Sequence, residues 1–166
     1  DERIRLTGIT GTNGKTTTSY LVDSILRAAG HITGLFGTIE YHLAGRVLPA
    51  VNTTPESLDL NRMFASLEEC GGSHAIMEVS SHALALGRVY GLGFHTAVFT
   101  NLTRDHLDFH QTMEEYFAAK RKLFEGAGAA PPKVAVLNRD DPASAQLPTA
   151  PGAQVYWYGF ARDAVV

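Results

Sequence analysis

An apolar run, Ile4–Ile9, leads directly into Gly8-Ile9-Thr10-Gly11-Thr12-Asn13-Gly14-Lys15-Thr16-Thr17 and then into a helical pattern over Thr16–Ala29. Strand, glycine-rich loop and helix in that order admit few folds. The first N–H groups of a helix have no partner within it, and the helix dipole is positive at that end, so the loop is suited to an anion. Glycines let the backbone close on a phosphate. Lys15 brings a point charge to the terminal phosphates, and the Thr16 hydroxyl can ligate Mg²⁺. The glycines fall at 8 and 11, whereas the commonest pattern would place one at 9, where this chain has Ile9. Such a loop binds nucleotides in kinases, motors and ligases alike, so it does not name a reaction.

The rest of the chain alternates in the same way. Thr16–Ala29 carries Leu21, Val22, Ile25, Leu26 and Ala29 on one face, with Gly30 as its stop. Ile32–Tyr41 reads as extended, and Tyr41–Ala50 as a hairpin turning at Ala44-Gly45-Arg46. Thr54-Pro55 reads as the N-cap and first residue of a helix with Leu60, Met63, Phe64 and Leu67 inward and Gly71-Gly72 at its end. Ala75–Val79, Thr96–Thr100, Val134–Leu137 and Val155–Tyr158 read as strands. Thr112-Met113-Glu114-Glu115 is a capping box opening a helix to about Phe124, and Pro142–Leu147 a short helix. Continuous apolar strands between helices predict an α/β fold: one mostly parallel sheet flanked by helices, of the P-loop NTPase kind.

Composition bounds the function. With 166 residues, 45% hydrophobic and 19% charged, the chain suits one domain with a real core. A net charge of -3 speaks against non-specific nucleic-acid binding. The single cysteine, Cys70, excludes an internal disulfide, fits a reducing cytosol and reads as a small, buried helix-face residue. No signal peptide and no apolar run long enough for a bilayer is visible. Asp1-Glu2 enters a strand almost at once and the tail Ala161–Val166 stops without a cap, so the chain reads as part of a longer one.

Three further positions carry chemistry. Glu78 ends a strand, and the carboxyl ends of strands face the ligand in open α/β sheets, so its carboxylate suits the nucleotide's Mg²⁺. His106, in Asn101-Leu102-Thr103-Arg104-Asp105-His106-Leu107-Asp108, is a candidate ligand for a second metal, with Asp105 to orient it. Lys120 falls inside the apolar stripe Met113, Tyr116, Phe117, Leu123 and Phe124. It either snorkels its ammonium to water or loses its proton to burial. A neutral amine adds to CO2, and the resulting carbamate is an anionic metal ligand.

Taken together, Gly11–Thr17, Asn52-Thr53-Thr54-Pro55-Glu56-Ser57, Met77–Leu84 with Gly87-Arg88-Val89, Asn101–Asp108, Ala119-Lys120 and Asn138-Arg139-Asp140-Asp141 resemble the central domain of the Mur ligases. The Asn52–Ser57 and Glu78–Leu84 segments are similar to those of the member that adds the third stem-peptide residue. The resemblance implies that Gly11, Thr12, Asn13, Gly14, Lys15, Thr16 and Thr17 bind ATP, that Thr16 and Glu78 hold one Mg²⁺, and that Glu78, His106 and a carbamylated Lys120 hold a second. It implies that Asn52, Thr53, Thr54, Ser80 and Arg88 contact a UDP-N-acetylmuramoyl dipeptide. It further implies diaminopimelate or lysine as the incoming amino acid, flanking Mur domains of the same chain as partners, and a cytoplasmic setting. The chain alone is expected not to turn over, with at most weak binding of ATP. A folylpolyglutamate synthase-like ligase and a non-catalytic ATP-binding module are the alternatives.

Overall fold

The computed structural model describes residues 3–160. The strands are β1 (Arg5–Thr10), β2 (Thr33–Phe36), β3 (Glu40–Leu43), β4 (Arg46–Pro49), β5 (His74–Glu78), β6 (Thr96–Phe99), β7 (Val134–Asn138) and β8 (Gln154–Tyr158). The helices are α1 (Lys15–Ala28), α2 (Ser57–Glu69), α3 (Ser81–Ala85), α4 (Leu107–His110) and α5 (Met113–Glu125), with a 3-10 turn at Pro142–Gln146. The strands form one sheet in the order β4-β3-β2-β5-β1-β6-β7-β8. From β2 to β8 all neighbours are parallel, and only β3, near one edge, runs antiparallel to its neighbours β2 and β4. The expected α/β class and mostly parallel sheet are therefore found.

Parallel strands buried on both faces need apolar residues at successive positions. β2 and β5 supply them: Leu35, Phe36, Ala75, Ile76 and Met77 are all fully buried. One face packs against α1 through Ile9, Leu35, Ile76 and Val98. The other carries the larger core, with Phe36, Leu60, Met77, Phe99, Leu123 and Leu137. Each such side chain contributes about 1.5–3 kcal/mol by leaving water. The Thr112 hydroxyl accepts from Glu115 N–H at 3.2 Å, so the cap of α5 stands where the sequence placed it.

Several sequence expectations need correction. On α1, Leu21 and Ile25 are 59% and 67% exposed, while Ser19 and Asp23 are buried. The inward face is turned away from the most apolar stripe because Asp23 accepts a 2.6 Å hydrogen bond from Thr33 on β2. The helix after Pro55 begins at Ser57 with Glu56 as its cap residue, not at Thr54. Thr54 is instead fully buried and donates to the Glu78 carbonyl oxygen at 2.8 Å. The extended stretch Ile32–Tyr41 is broken at Gly37-Thr38-Ile39 between β2 and β3. Cys70 is exposed at the end of α2, not buried. Asp1-Glu2 and the tail Ala161–Val166 lie outside the described residues.

Candidate active site

β5, β1 and β6 are adjacent and parallel, so their carboxyl ends open side by side. The phosphate loop leaves β1, Glu78 ends β5, and Thr100-Asn101 follows β6. An open cleft of about 570 Å³ lies over these ends.

The loop is held from beneath by the segment after β6. Thr12 N–H donates to the Asn101 carbonyl at 2.8 Å, and Asn13 N–H to Asn101 Oδ1 at 2.9 Å. The Thr100 hydroxyl donates to Asn13 O at 2.7 Å, and Thr103 N–H donates to Thr12 Oγ1 at 2.9 Å. Gly11 has φ +148°, and a Cβ there would sit 1.9 Å from Thr100 Oγ1, so only glycine fits. Gly14 caps α1, leaving the first N–H groups of the helix facing the cleft. Lys15 Nζ lies on the carbonyls of Gly11 and Thr12 at 3.0 and 2.9 Å. Burial lowers its pKa, while the carboxylates of Glu78 and Asp105 raise it.

Glu78 is fully buried. Its Oε2 accepts from the Thr16 hydroxyl at 2.8 Å and the Thr38 hydroxyl at 3.1 Å, and its Oε1 accepts from Thr38 N–H at 3.0 Å. A Cβ at Gly37 would stand 2.3 Å from Glu78 Oε1, so glycine makes room for the carboxylate. A hydroxyl and a carboxylate in contact at a phosphate loop are hard oxygen donors, which suit Mg²⁺. Among the described residues no group of three or more His, Cys, Asp or Glu is arranged to hold a metal ion.

Lys120 is 1% exposed and sits behind the loop rather than on the cleft surface. Its Nζ donates to the Gly11 carbonyl at 2.8 Å and lies 4.3 Å from the centre of the Tyr116 ring. Desolvation, helped by the charge of Lys15, pushes its pKa down to about 7. Burial with loss of the proton, rather than snorkelling, is what the surroundings favour. His106 lies on the cleft with φ 53°, 3.5 Å from the Asp105 carboxylate. Its ring meets His82 edge-on at 5.1 Å and Tyr116 at 5.9 Å.

Asn52, Thr53, Thr54, Ser80 and Arg88 line the other end of the cleft. Thr38 and Thr53 hydroxyls are 3.1 Å apart. Ser80 caps α3 by accepting from Ala83 N–H at 3.1 Å. Arg88 pairs with Glu56 at 2.8 Å and reaches the Thr54 carbonyl at 3.4 Å. Thr17, the third residue of α1, and Gly11 are not on the cleft surface.

Gly37, Thr38, Thr100, Tyr116 and Asp141 escaped the sequence reading as individual site residues. Asp141 accepts from Leu102 N–H at 2.6 Å and from Ala143 N–H at 2.9 Å, bracing the segment under the loop. Asn138 donates to the Thr100 carbonyl at 2.7 Å. Only the Asn138–Asp141 stretch, read as a motif, gave a signal for this brace.

The family model described as the Mur ligase middle domain matches residues 9–166. A UDP-N-acetylmuramoyl-L-alanyl-D-glutamate--2,6-diaminopimelate ligase of Solibacter usitatus is 69% identical over 164 residues, 99% of this chain and 33% of that protein. One of the same name from Bacillus licheniformis is 50% identical over 99% of this chain and 35% of its own length. Among solved structures, a ligase of that name superposes with a TM-score of 0.85 at 32% identity, over 97% of this chain and 33% of its own. E. coli FolC in complex with DHPP and ADP superposes with 0.65 at 20% identity, over 93% of this chain and 42% of its own, a likeness of fold alone. The chain spans about a third of the length of the curated relatives it matches. With the loop, the buried carboxylate and the buried lysine in one sheet end, and this match over nearly every residue, the chain belongs to the Mur ligase family as its middle domain.

Proposed function

We propose that this chain is the ATP-binding core of a ligase that joins 2,6-diaminopimelate to UDP-N-acetylmuramoyl-L-alanyl-D-glutamate, a step of peptidoglycan synthesis. The observation that carries this reading is the 69% identity to a relative of that name across 99% of the chain. The relatives' names favour diaminopimelate over lysine as the incoming amino acid. Flanking domains of the same protein would grip the UDP end and supply the amino acid. The setting is the cytoplasm, where ATP is available. No helix among the described residues is long and apolar enough to cross a membrane.

The chemistry follows from the parts. The terminal carboxylate of the UDP-linked dipeptide attacks the γ-phosphorus of ATP, an O–P bond forms, and ADP leaves. The amine of the amino acid then attacks the acyl carbon, and phosphate leaves as the amide forms. Lys15 and the N–H groups at the start of α1 take up the charge of the terminal phosphates. Thr16 and Glu78 fit one Mg²⁺ by donor type, since both offer oxygen and already touch at 2.8 Å. Lys120 fits carbamylation, because at a pKa of about 7 much of its amine is neutral near physiological pH. As a carbamate it would join Glu78 and His106 in holding a second Mg²⁺. The metal ions supply neutralisation of the transferring phosphoryl group. Arg88, Thr53, Asn52 and Ser80 face the space where the dipeptide end would lie, with Arg88 suited to its anionic groups.

The test is ligation by the full-length protein with the UDP-linked dipeptide, ATP, Mg²⁺ and either diaminopimelate or lysine. Product heavier by one diaminopimelate, with phosphate released, is expected. No product with either amino acid, despite ATP binding, would restore the folylpolyglutamate synthase-like ligase and the non-catalytic module. The 166-residue chain alone should not turn over, and dipeptide-dependent phosphate release by it would refute that part.

A further inference from the structure

We infer that Tyr116 is a positioning residue for the phosphate loop: its hydroxyl fixes the Thr12 side chain, and with it the Gly11–Thr12 peptide, in the arrangement that receives the nucleotide's phosphates. The inference rests on the reading of this loop as the ATP site.

Tyr116 is fully buried in the middle of α5, among the largest such side chains of the described residues. Its hydroxyl donates to Thr12 Oγ1 at 3.2 Å, across 104 residues of sequence. Thr12 Oγ1 also donates to the Thr103 carbonyl at 3.2 Å and accepts from Thr103 N–H at 2.9 Å. A hydroxyl has one hydrogen and two lone pairs. All three are in use here, so the Thr12 rotamer is fixed on three sides. The assignment of donors is also forced. Thr12 spends its only hydrogen on Thr103 O, and Tyr116 must therefore supply the third bond.

One helical turn further, Lys120 donates to the Gly11 carbonyl at 2.8 Å while its Nζ sits over the Tyr116 ring. Residues four apart on a helix share a face. α5 thus fastens two consecutive loop residues with two consecutive turns. The Gly11 carbonyl so placed is, with the neighbouring Thr12 carbonyl, where Lys15 rests. The tilt of that peptide sets both where the loop N–H groups aim and where Lys15 starts its reach. Burial raises the Tyr116 pKa, so the phenol keeps the proton it must donate. The ring alone would satisfy packing at this position, and phenylalanine would fill it equally well. Among the described residues the hydroxyl has one hydrogen-bond partner, and that partner is in the loop.

The experiment uses the full-length protein and measures direct binding of ATP with Mg²⁺ by calorimetry, alongside Tm. Tyr116→Phe keeps the ring, its contact with Lys120 and the packing, and deletes only the oxygen. The expected result is ATP affinity about three- to tenfold weaker, the worth of one neutral hydrogen bond, with kcat within about twofold at saturating ATP. Thr12→Val should weaken ATP by a similar factor or more. The double variant should be no weaker than Thr12→Val, because the pair acts as one unit. Thr12→Ser, which keeps the hydroxyl, should recover most of the affinity that Thr12→Val loses. A fall in Tm with unchanged ATP affinity in Tyr116→Phe would reduce the residue to a structural one and overturn the inference. Additive losses in the double variant would overturn it as well. A wild-type protein that fails to bind ATP would instead overturn the reading of the loop, and the inference with it.

Discussion

Replacing Lys120 with methionine should remove a pH-dependent part of the stability. The unfolded chain keeps the lysine proton up to its ordinary 10.5, and the folded chain only up to about 7. Between these values unfolding takes up a proton, so stability rises with pH across the window. The contribution is complete above 10.5 and is lost as pH falls through 7. From pH 7.5 to 9.5 the two-pKa linkage gives wild type about 2–3 kcal/mol of added stability, or roughly 4–12 °C in Tm at about 2–4 °C per kcal/mol. Lys120→Met has no proton to exchange and should lack this rise, because methionine is an unbranched apolar side chain that fits the same stripe. Tyr20, Tyr116 and Tyr158, whose pKa values are raised by burial, are common to both proteins and cancel in the difference. The assay is urea unfolding of the 166-residue chain in CO2-free buffer, followed through the single tryptophan, Trp157. Wild-type and variant curves of stability against pH that run parallel would refute the argument that Lys120 is buried with its proton lost. The same variant in the full-length protein should lose ligation.

Three further outcomes follow from the site. Glu78→Gln places an amide where three donors converge, leaving at least one unpaired at a cost of about 1–3 kcal/mol, and Mg²⁺ should no longer strengthen ATP binding; calorimetry with and without Mg²⁺ decides, and an undiminished Mg²⁺ effect counts against Glu78. Gly11→Ala forces a Cβ into the Thr100 hydroxyl at a positive φ, so a loss of about 2–3 kcal/mol together with loss of ATP binding is expected, and a urea midpoint equal to wild type would contradict the geometry. Asp141→Ala removes the acceptor for Leu102 and Ala143 N–H, costing about 1–2 kcal/mol, and should weaken ATP binding through the Asn101–Thr103 segment; a lower Tm with wild-type ATP affinity would show that the brace does not reach the loop.

The parts that were legible in sequence are those whose cause is local. The phosphate loop is a continuous run, and the α5 cap needs only Thr112 and Glu115. Lys120 was legible because a cation inside an apolar stripe conflicts with its own helix. The rest depends on partners far along the chain. Nothing near Asp23 announces Thr33 and His42 as neighbours, so hydropathy alone turned α1 toward Leu21 and Ile25. Thr38 looks like a loop threonine until β2 and β5 pair and bring it to Glu78. The helices α3 and α4, five and four residues long, are too short to show a period. Tyr116 was read as core, which it is, but its hydroxyl becomes informative only when Thr12 is seen above it.

The register of three strands sets the dimensions of the site. Ile9 pairs with Glu78, and Thr10 pairs with Phe99. Neighbouring strands stand about 4.8 Å apart, so loop, carboxylate and brace are spaced by the sheet itself, as marks are on a ruler. A slip of one residue in β5 would carry the Glu78 side chain to the opposite face of the sheet. Insertions in the turn between β3 and β4 leave these spacings alone, whereas a single inserted residue within β1, β5 or β6 would remove the carboxylate or the brace from the loop while leaving every side chain of the site in the sequence.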